Sequence, residues 1–512
     1  MNNMAAPSAF RSAAACFKHA AALCALLVVG GCAATPESPF LTTKTPYRPA
    51  PTASVGAAPP PGFTPLHTQL VARHGARAMT GMKDDLALLN MCRQAAREQA
   101  LTQLGQQLLA DVERLVQVQL LLGHGVDGIA RPGYANLSAI GIDEHRQLAL
   151  RVLQRQPALF ADADAGPRTI VVQHSGVDRA RESGVFFMQS LTAAAPRLAP
   201  LVEPPAADRF TLYFHKLNAA TDAAIDGTIA AGDPRHATFA ASQRYQAFLR
   251  SAALKARLDA VAADPRLDEA ARIVLARLFS PAFLDRLAAR ELRFTNSGRM
   301  EATSGDGKLH VVRDGDGKTV IASPRDALMA LSAVYEIAPG LRVELGRDFR
   351  AYIPDAQAQL LAWANDAEDF YEKGPGMAAE APVTYQMAEG LLRDFFDEAQ
   401  HGSARHLATF RFSHAEIIIP LATLLGLPGS DVPLAPGQAY SYADNPWRGR
   451  DVAPYAANIQ WDSYRDAQGR VLVRMLYNER QTPFKAACDQ ARYRPDSAFY
   501  DLKALRACYL GD

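Results

Sequence analysis

"LVARHGARAM", residues 70–79, continues the stretch "LHTQ" (66–69) and puts two arginines, a histidine and a glycine within five positions, Arg73 to Arg77. The residues before the cluster read as a short apolar strand, and the cluster falls where that strand ends. Open α/β sheets take up ligands at the carboxyl ends of their strands. Arginine offers planar, paired donors suited to phosphate oxygens. Gly75 lets the backbone approach closely, and the start of a following helix offers free amides to an anion. A neutral His74 held among these groups can attack phosphorus in line while the arginines offset the charge on the oxygens. The plainer alternative is a solvated basic loop.

Outward from this motif the same pattern recurs. "RTIVVQHS" (168–175) reads as a strand, with "DRARESGVFFMQSL" (178–191) behind it at helical spacing. "HLATFRFS" (406–413) is followed by "HAEIIIPLATLLGL" (414–427), and "RVLVRMLYN" (470–478) is a further strand candidate. Strands with β-branched runs alternating with helices predict an α/β sheet with helices on its faces. The material between differs. Leu267, Ala271, Val274, Leu275 and Leu278 fall at helical spacing after Asp264-Pro265, a helix-start signal. We read 205–385 as a mostly α-helical cap on a core formed by 63–204 and 386–512. Within the cap, "KLHVVRDGDGKTVIAS" (308–323) reads as a hairpin with Asp-Gly turns. No internal repeat is evident.

Residues 1–31 read as an export signal. Arg11 and Lys18 precede the apolar run "AAALCALLVV" and then "GGC", with no acidic residue. The run is too short for an ordinary transmembrane helix, and no later stretch is long and apolar enough to span a bilayer. Val29-Gly30-Gly31-Cys32 resembles a bacterial lipobox, in which Cys32 is lipidated and becomes the mature N-terminus. Plain cleavage at nearby small residues is the other reading. Residues 32–62 are rich in proline and alanine and suit a tether. The expectation is an exported, outer-membrane lipoprotein facing the periplasm or the cell surface, touching membrane only through its lipid.

Export bears on the cysteines. Cys16 and Cys24 leave with the signal and Cys32 carries lipid, so Cys92, Cys488 and Cys508 remain. An oxidising compartment favours a Cys488–Cys508 disulfide with Cys92 free; three buried thiols are the alternative. The chain of 512 residues is 49% hydrophobic and 21% charged, as folded proteins are, with a net charge of +1. Nothing here attracts nucleic acid, so a polyanion needs cations concentrated locally.

Taken together, the motifs resemble the histidine acid phosphatases (histidine phosphatase superfamily, branch 2), nearest to the bacterial multiple inositol polyphosphate phosphatases, a phytase group. R-H-G-x-R is that superfamily's nucleophile motif, its histidine phosphorylated in turnover. "DRARESGVFF" resembles the segment carrying the third phosphate-binding arginine, which maps to Arg179, with Arg181 adjacent. "FSHAEIIIPL" carries His-Ala-Glu, as that group does where most members carry His-Asp. This maps His414 as a phosphate contact and Glu416 as the proton donor. "TTKTPY", "DFYEKGPG", "WRGRDVAPYAAN" and "VRMLYNE" are similar to further segments of the family. One departure is Ala78-Met79, where a proline or aromatic often follows the motif.

The resemblance implies a central mixed sheet with flanking helices, the histidine phosphatase core, plus the cap. It implies phytate or another inositol polyphosphate as substrate, a monomer, and no cofactor or metal. Lys44, Lys373, Arg448 and Arg450 come from family-like segments and are candidate cations for the other phosphates; each equally suits a surface. From the residues alone, Glu416 sits in the first turn of an apolar helix, where it can protonate a leaving alkoxide or simply stabilise the helix start. Glu416 must be protonated while His74 is neutral, and ordinary values of about 4.3 and 6.5 lie in the wrong order. The environment must therefore raise one or lower the other, or a minority protonation state reacts. Activity is expected to be greatest in mild acid.

Several patterns are set aside. "RDGDGKTV" begins like a calcium loop at Asp314 and Asp316, but Lys318 and Arg325 occupy ligand positions. His401 and His406 read as a solvated pair before a strand, and His174 as a structural histidine. No G-x-S-x-G or Walker loop occurs. Two rival functions stand: a broad periplasmic acid phosphatase for small esters, and a catalytically silent lipoprotein that binds inositol phosphates.

Overall fold

Leu70 and Ala72 pack against one face of a sheet and Val71 against the other, so the strand that ends at Arg73 is buried on both sides. The computed structural model describes residues 40–49, 56–161, 168–218, 233–377 and 382–511. The leader, Cys32 and part of the tether lie outside them. The strands are β1 (Thr64–Arg73), β2 (Thr169–His174), β3 (Ala206–Ala207), β4 (Phe294–Thr303), β5 (His310–Ile321), β6 (His406–Ser413), β7 (Asn458–Arg465), β8 (Val471–Tyr477), β9 (Arg480–Thr482) and β10 (Tyr500–Asp501).

The main sheet runs β10-β8-β7-β1-β6-β2-β3, with β9 paired to β8. Its β1–β6–β2–β3 half is parallel, and β7 to β10 add antiparallel. This is the expected mixed sheet. Helices Ala139–Arg155 and Asp178–Ala194 cover one face, packing Leu148, Val152 and Phe187 on Phe410 and Phe412. Helices Glu389–Gln400 and Ala415–Leu425 cover the other, with Phe395 and Ile418 near Trp461. Each helix presents an apolar stripe, and the sheet's near-continuous apolar runs fit burial on both faces.

Residues 265–275 form the expected helix, Pro265–Leu275, capped by the Asp264 side chain with proline at its first position. Leu267, Ala271, Val274 and Leu275 are buried, and Leu278 is buried just beyond its end. They join one apolar cluster with helices Asp84–Arg97, Gln103–Leu121 and Pro324–Ile337 and the β4–β5 hairpin. Packing therefore runs continuously from 84–121, read as core, into the stretch read as cap.

The hairpin differs from its sequence reading. β5 pairs with the upstream β4, and the turn lies between Thr303 and His310. Asp314 to Gly317 sit inside or beside the ladder, where Asp314 faces Arg299 and Gly315 faces Gly298. A Cβ on Gly315 would lie 1.7 Å from the Asn296 carbonyl oxygen, so the glycine serves a bulged, close strand approach. The Asp-Gly pair that turns is Asp306-Gly307. Arg325 is paired with Asp268. His406 is also corrected: it opens β6, and its Nδ1 lies 2.8 Å from Glu398 Oε2.

The tether reading fails over 41–47. Leu41, Thr42, Thr43 and Tyr47 are buried around the short helical turn Thr42–Lys44. At the other end of the chain Cys488 and Cys508 form a disulfide, and Cys92 is free and buried, its thiol pushed up to about 12 by burial. Among the described residues no helix is long and apolar enough to cross a membrane.

Candidate active site

In the parallel pair β1–β6, Arg73 lies opposite Ser413. The next residue of each strand, His74 and His414, therefore leaves the same sheet edge, and their rings stand 5.4 Å apart edge to face. β2 flanks β6 on the other side. Ser175, just beyond it, places its Oγ 2.8 Å from His414 Nε2, and Arg179 follows in the first turn of helix Asp178–Ala194. Glu416 is in the first turn of helix Ala415–Leu425. Three parallel strands thus deliver the sequence's core site residues to one edge.

A cavity of about 230 Å³ at this edge is lined by Arg73, His74, Arg77, Arg179 and Glu416, with Lys44, Lys373 and Thr42–Thr43. Asn365, Glu368, Asp369 and Ala415 complete the wall. His74 is buried, and its Nδ1 lies 2.9 Å from the Gly75 carbonyl oxygen. A carbonyl only accepts, so Nδ1 carries the proton and Nε2 of the neutral ring keeps its lone pair. Burial, then the charges of Arg179, Arg77 and Arg73, hold the His74 pKa well below its ordinary value. The ring is therefore an unprotonated nitrogen base across mild acid.

The arginines are fixed from behind. Arg73 Nη1 donates to the carbonyls of Thr43 and Ala453, and the guanidinium lies 4.6 Å over the Tyr455 ring. Arg77 Nη1 donates to Ala78 O at 2.6 Å. Nε of Arg73, Arg77 and Arg179 and Nδ1 of His414 are buried without a partner among the described residues. Buried polar atoms of this kind are costly unless satisfied, and charge-assisted bonds from the guanidinium groups lining the cavity to an oxyanion would offset that cost. Burial, then Arg77, pushes Arg179 down to about 10; an anion between them opposes both effects.

The phosphate-loop backbone is held tightly. A Cβ on Gly75 would lie 2.3 Å from the Gly141 carbonyl oxygen, so helix Ala139–Arg155 meets the motif backbone to backbone. From that helix Glu144, also buried, accepts from Ala76 N and Tyr47 N, both at 2.7 Å. Burial raises its carboxyl to about 7 against those two amides.

Glu416, half-buried, lies beside Lys373, His215 and His414. Burial alone would raise its carboxyl, but His215, Lys373 and His414 outweigh it and hold the group well below the carboxylate range. Lys373 is raised: burial would lower it, but Asp369, Glu372 and Glu416 prevail, and its Nζ lies 2.5 Å from Asp369 Oδ1. Lys44 is held 2.5 Å from Glu336. Arg448 and Arg450 are not brought to this cavity. Arg448 donates to the carbonyls of Tyr442, Asn445 and Trp447 and lies 3.6 Å over Tyr442. Both face a neighbouring cavity beside Thr42 and Asp366. His174 is structural, its Nδ1 accepting from Gly176 N at 3.0 Å.

Sequence reasoning missed Glu144, Thr43 and the acidic wall of Glu368 and Asp369. "DFYEKGPG" contains Asp369 but was read only for its lysine. Glu144 leaves no local signal, since its partners are 68 and 97 positions away.

The pattern of the histidine phosphatase superfamily (branch 2) matches residues 343–478. A comparison with curated protein sequences finds no match. Among solved structures, a Bifidobacterium longum multiple inositol polyphosphate phosphatase in complex with inositol hexasulfate is 31% identical, with a TM-score of 0.78. The alignment covers 92% of this chain and 98% of that one. The same enzyme in complex with phosphate gives a TM-score of 0.80 over 92% and 98% at the same identity. A phytase from D. castellii, 13% identical over 92% and 85% with a TM-score of 0.56, shares the fold. On the strength of the cleft and these likenesses, the chain belongs to the histidine phosphatase superfamily, branch 2, among relatives that are inositol polyphosphate phosphatases.

Proposed function

We propose that this phosphatase hydrolyses phytate and related inositol polyphosphates through a phosphohistidine on His74. The observation that carries the reading is the bare Nε2 of His74 in one cavity with Arg73, Arg77, Arg179 and Glu416. The Bifidobacterium relative, solved with inositol hexasulfate and with phosphate, supports the substrate class.

Arg73, Arg77, Arg179 and His414 hold the phosphoryl oxygens, whose charge they offset as the transition state forms. His74 Nε2 attacks in line; the P–N bond forms as the ester P–O bond breaks, while Nδ1 keeps its proton on Gly75 O. Glu416 delivers a proton to the leaving ring oxygen. In the second half its carboxylate takes a proton from water, which attacks phosphorus; the P–N bond breaks, neutral His74 returns, and the departing phosphate carries that proton away, leaving Glu416 ionised again. Glu416 is ionised in the free site, so its proton arrives with the substrate as the phosphomonoester monoanion. Lys44 and Lys373 face the remaining phosphates of the ring.

Export as a monomeric lipoprotein anchored through Cys32 belongs to the same proposal, as does the division into a two-part core and a cap. It is tested by metabolic fatty-acid labelling of the chain beside Cys32→Ser, where label only in the parent is expected. The catalytic reading is tested by phosphate release from phytate at pH 5 with chelator, beside His74→Ala. Release by the parent alone is expected; equal release by both removes His74 from the reaction.

A further inference from the structure

Ser175 is the first residue past β2, and its backbone N donates to Phe412 O at 3.1 Å, which holds it against the end of β6. Its side chain and the His414 ring are both buried, with Oγ 2.8 Å from Nε2. Neither Arg73–Arg77 nor the His-Ala-Glu segment contains this serine.

The direction of that bond follows from the hydrogens available. Burial, then the charge of Arg179, holds the His414 pKa well below its ordinary value, so the ring is neutral in mild acid. A neutral imidazole carries one proton, on Nδ1 or on Nε2, and a serine hydroxyl has one hydrogen to donate. Among the described residues Ser175 Oγ has two partners, His414 Nε2 and the Val177 amide at 3.4 Å. An amide N–H only donates, so Nε2 is the acceptor for the hydroxyl hydrogen. Were Nε2 protonated, ring and amide would both donate to Oγ. The buried hydroxyl hydrogen would then lack an acceptor among the described residues, which is costly. Ser175 therefore donates, Nε2 accepts, and the single ring proton sits on Nδ1.

Nδ1 is buried with no hydrogen-bond partner among the described residues. With Nε2 taken up by Ser175, it is the nitrogen that His414 has left for a phosphoryl oxygen. An ionised phosphoryl oxygen only accepts. The ring serves it as Nδ1–H and would meet it with a lone pair in the other tautomer.

We propose that Ser175 is a positioning residue whose hydroxyl fixes His414 as the Nδ1–H tautomer, the form in which the ring donates to the transferred phosphoryl group. This role rests on the reading of His414 as a phosphate contact.

Long-range ¹H–¹⁵N spectra of the full chain labelled with ¹⁵N-histidine test it, the His414 signals being assigned by their loss in His414→Asn. In mild acid the parent should show a protonated Nδ1 and a bare Nε2 in one tautomer. Ser175→Ala should show a mixture or the reverse. A protonated Nε2 in the parent overturns the proposal, as does an unchanged tautomer in Ser175→Ala. The parent spectrum decides the bond direction even if Ser175→Ala misfolds.

Inhibition by inorganic phosphate, measured against p-nitrophenyl phosphate, separates this role from a merely structural one. Ser175→Ala and His414→Ala should each raise the phosphate inhibition constant about tenfold or more, the worth of one hydrogen bond to a charged group. Because the serine acts through the ring, the double variant should bind phosphate no more weakly than His414→Ala alone. Additive losses overturn the proposal. If His414→Ala binds phosphate as the parent does, the reading of His414 falls and this role with it. If His414→Ala is weakened and Ser175→Ala is not, the role of Ser175 alone falls.

Discussion

His74 and His414 stand ring to ring, 5.4 Å between centroids, because the strands that end just before them run parallel with Arg73 opposite Ser413. One residue of register slip would move either side chain to the opposite face of the sheet. The nucleophile and the His-Ala-Glu helix are thus placed by the β1–β6 ladder itself.

If Glu416 supplies the leaving-group proton, its need depends on the leaving group. Glu416→Gln is expected to lower kcat on phytate by about 10²–10⁴-fold, the usual range for general acid catalysis. The loss should be much smaller on p-nitrophenyl phosphate, whose phenolate leaves without help. Equal losses on both substrates would assign Glu416 to binding.

The titration of the site sets the pH profile. His74 is held well below its ordinary value, so protonation of the nucleophile does not limit the reaction in mild acid. Glu416 is ionised in the free enzyme, and the proton enters with substrate, whose phosphoryl group loses it near pH 6. We expect kcat/KM to be greatest in mild acid and to fall above about pH 6. A profile still rising above pH 8 would contradict Glu416 as the acid.

Gly141→Ala tests the backbone contact under the phosphate loop. The added Cβ would sit 2.0 Å from the Ala76 carbonyl oxygen, and backbone there cannot swing aside. We expect destabilisation of about 1–3 kcal/mol, as for overpacking, and a displaced loop that lowers kcat. Denaturant unfolding and kinetics on one preparation measure both.

Much of this was legible in the sequence. β-branched runs followed by helical spacing revealed β1, β2 and β6, and motifs at their ends marked His74, Arg179, His414 and Glu416. β3, β9 and β10 are two or three residues long and carry no period to read. Asp-Gly dipeptides serve bulges as well as turns, which misdirected the β4–β5 hairpin. Leu41 to Tyr47 looked like tether because proline and threonine hide a packed segment whose side-chain partners lie 30, 97, 292 and 326 positions away. Arg448 and Arg450 were legible as cations, but only tertiary packing decides which cavity they face.

Glu144 carries a stability signature of its own. With its carboxyl raised to about 7, the folded chain keeps a proton that the unfolded chain loses above about 4.5. The folded state then binds more protons, so this contribution to stability falls as pH rises from 4.5 to 7. Glu144→Gln removes that slope. Relative to the parent, the variant should gain up to about 3 kcal/mol across this window, measured by denaturant unfolding at each pH. Parallel pH curves would show that Glu144 does not titrate there.

The covalent step is tested most directly by trapping it. The parent chain is mixed with ³²P-labelled phytate and quenched in alkali, where a phosphorus–nitrogen bond survives. Label bound to the protein, located at His74 and absent from His74→Ala of matched folding, is the expected result. Label that persists in His74→Ala, or rapid phosphate release by that variant, would contradict His74 as the nucleophile.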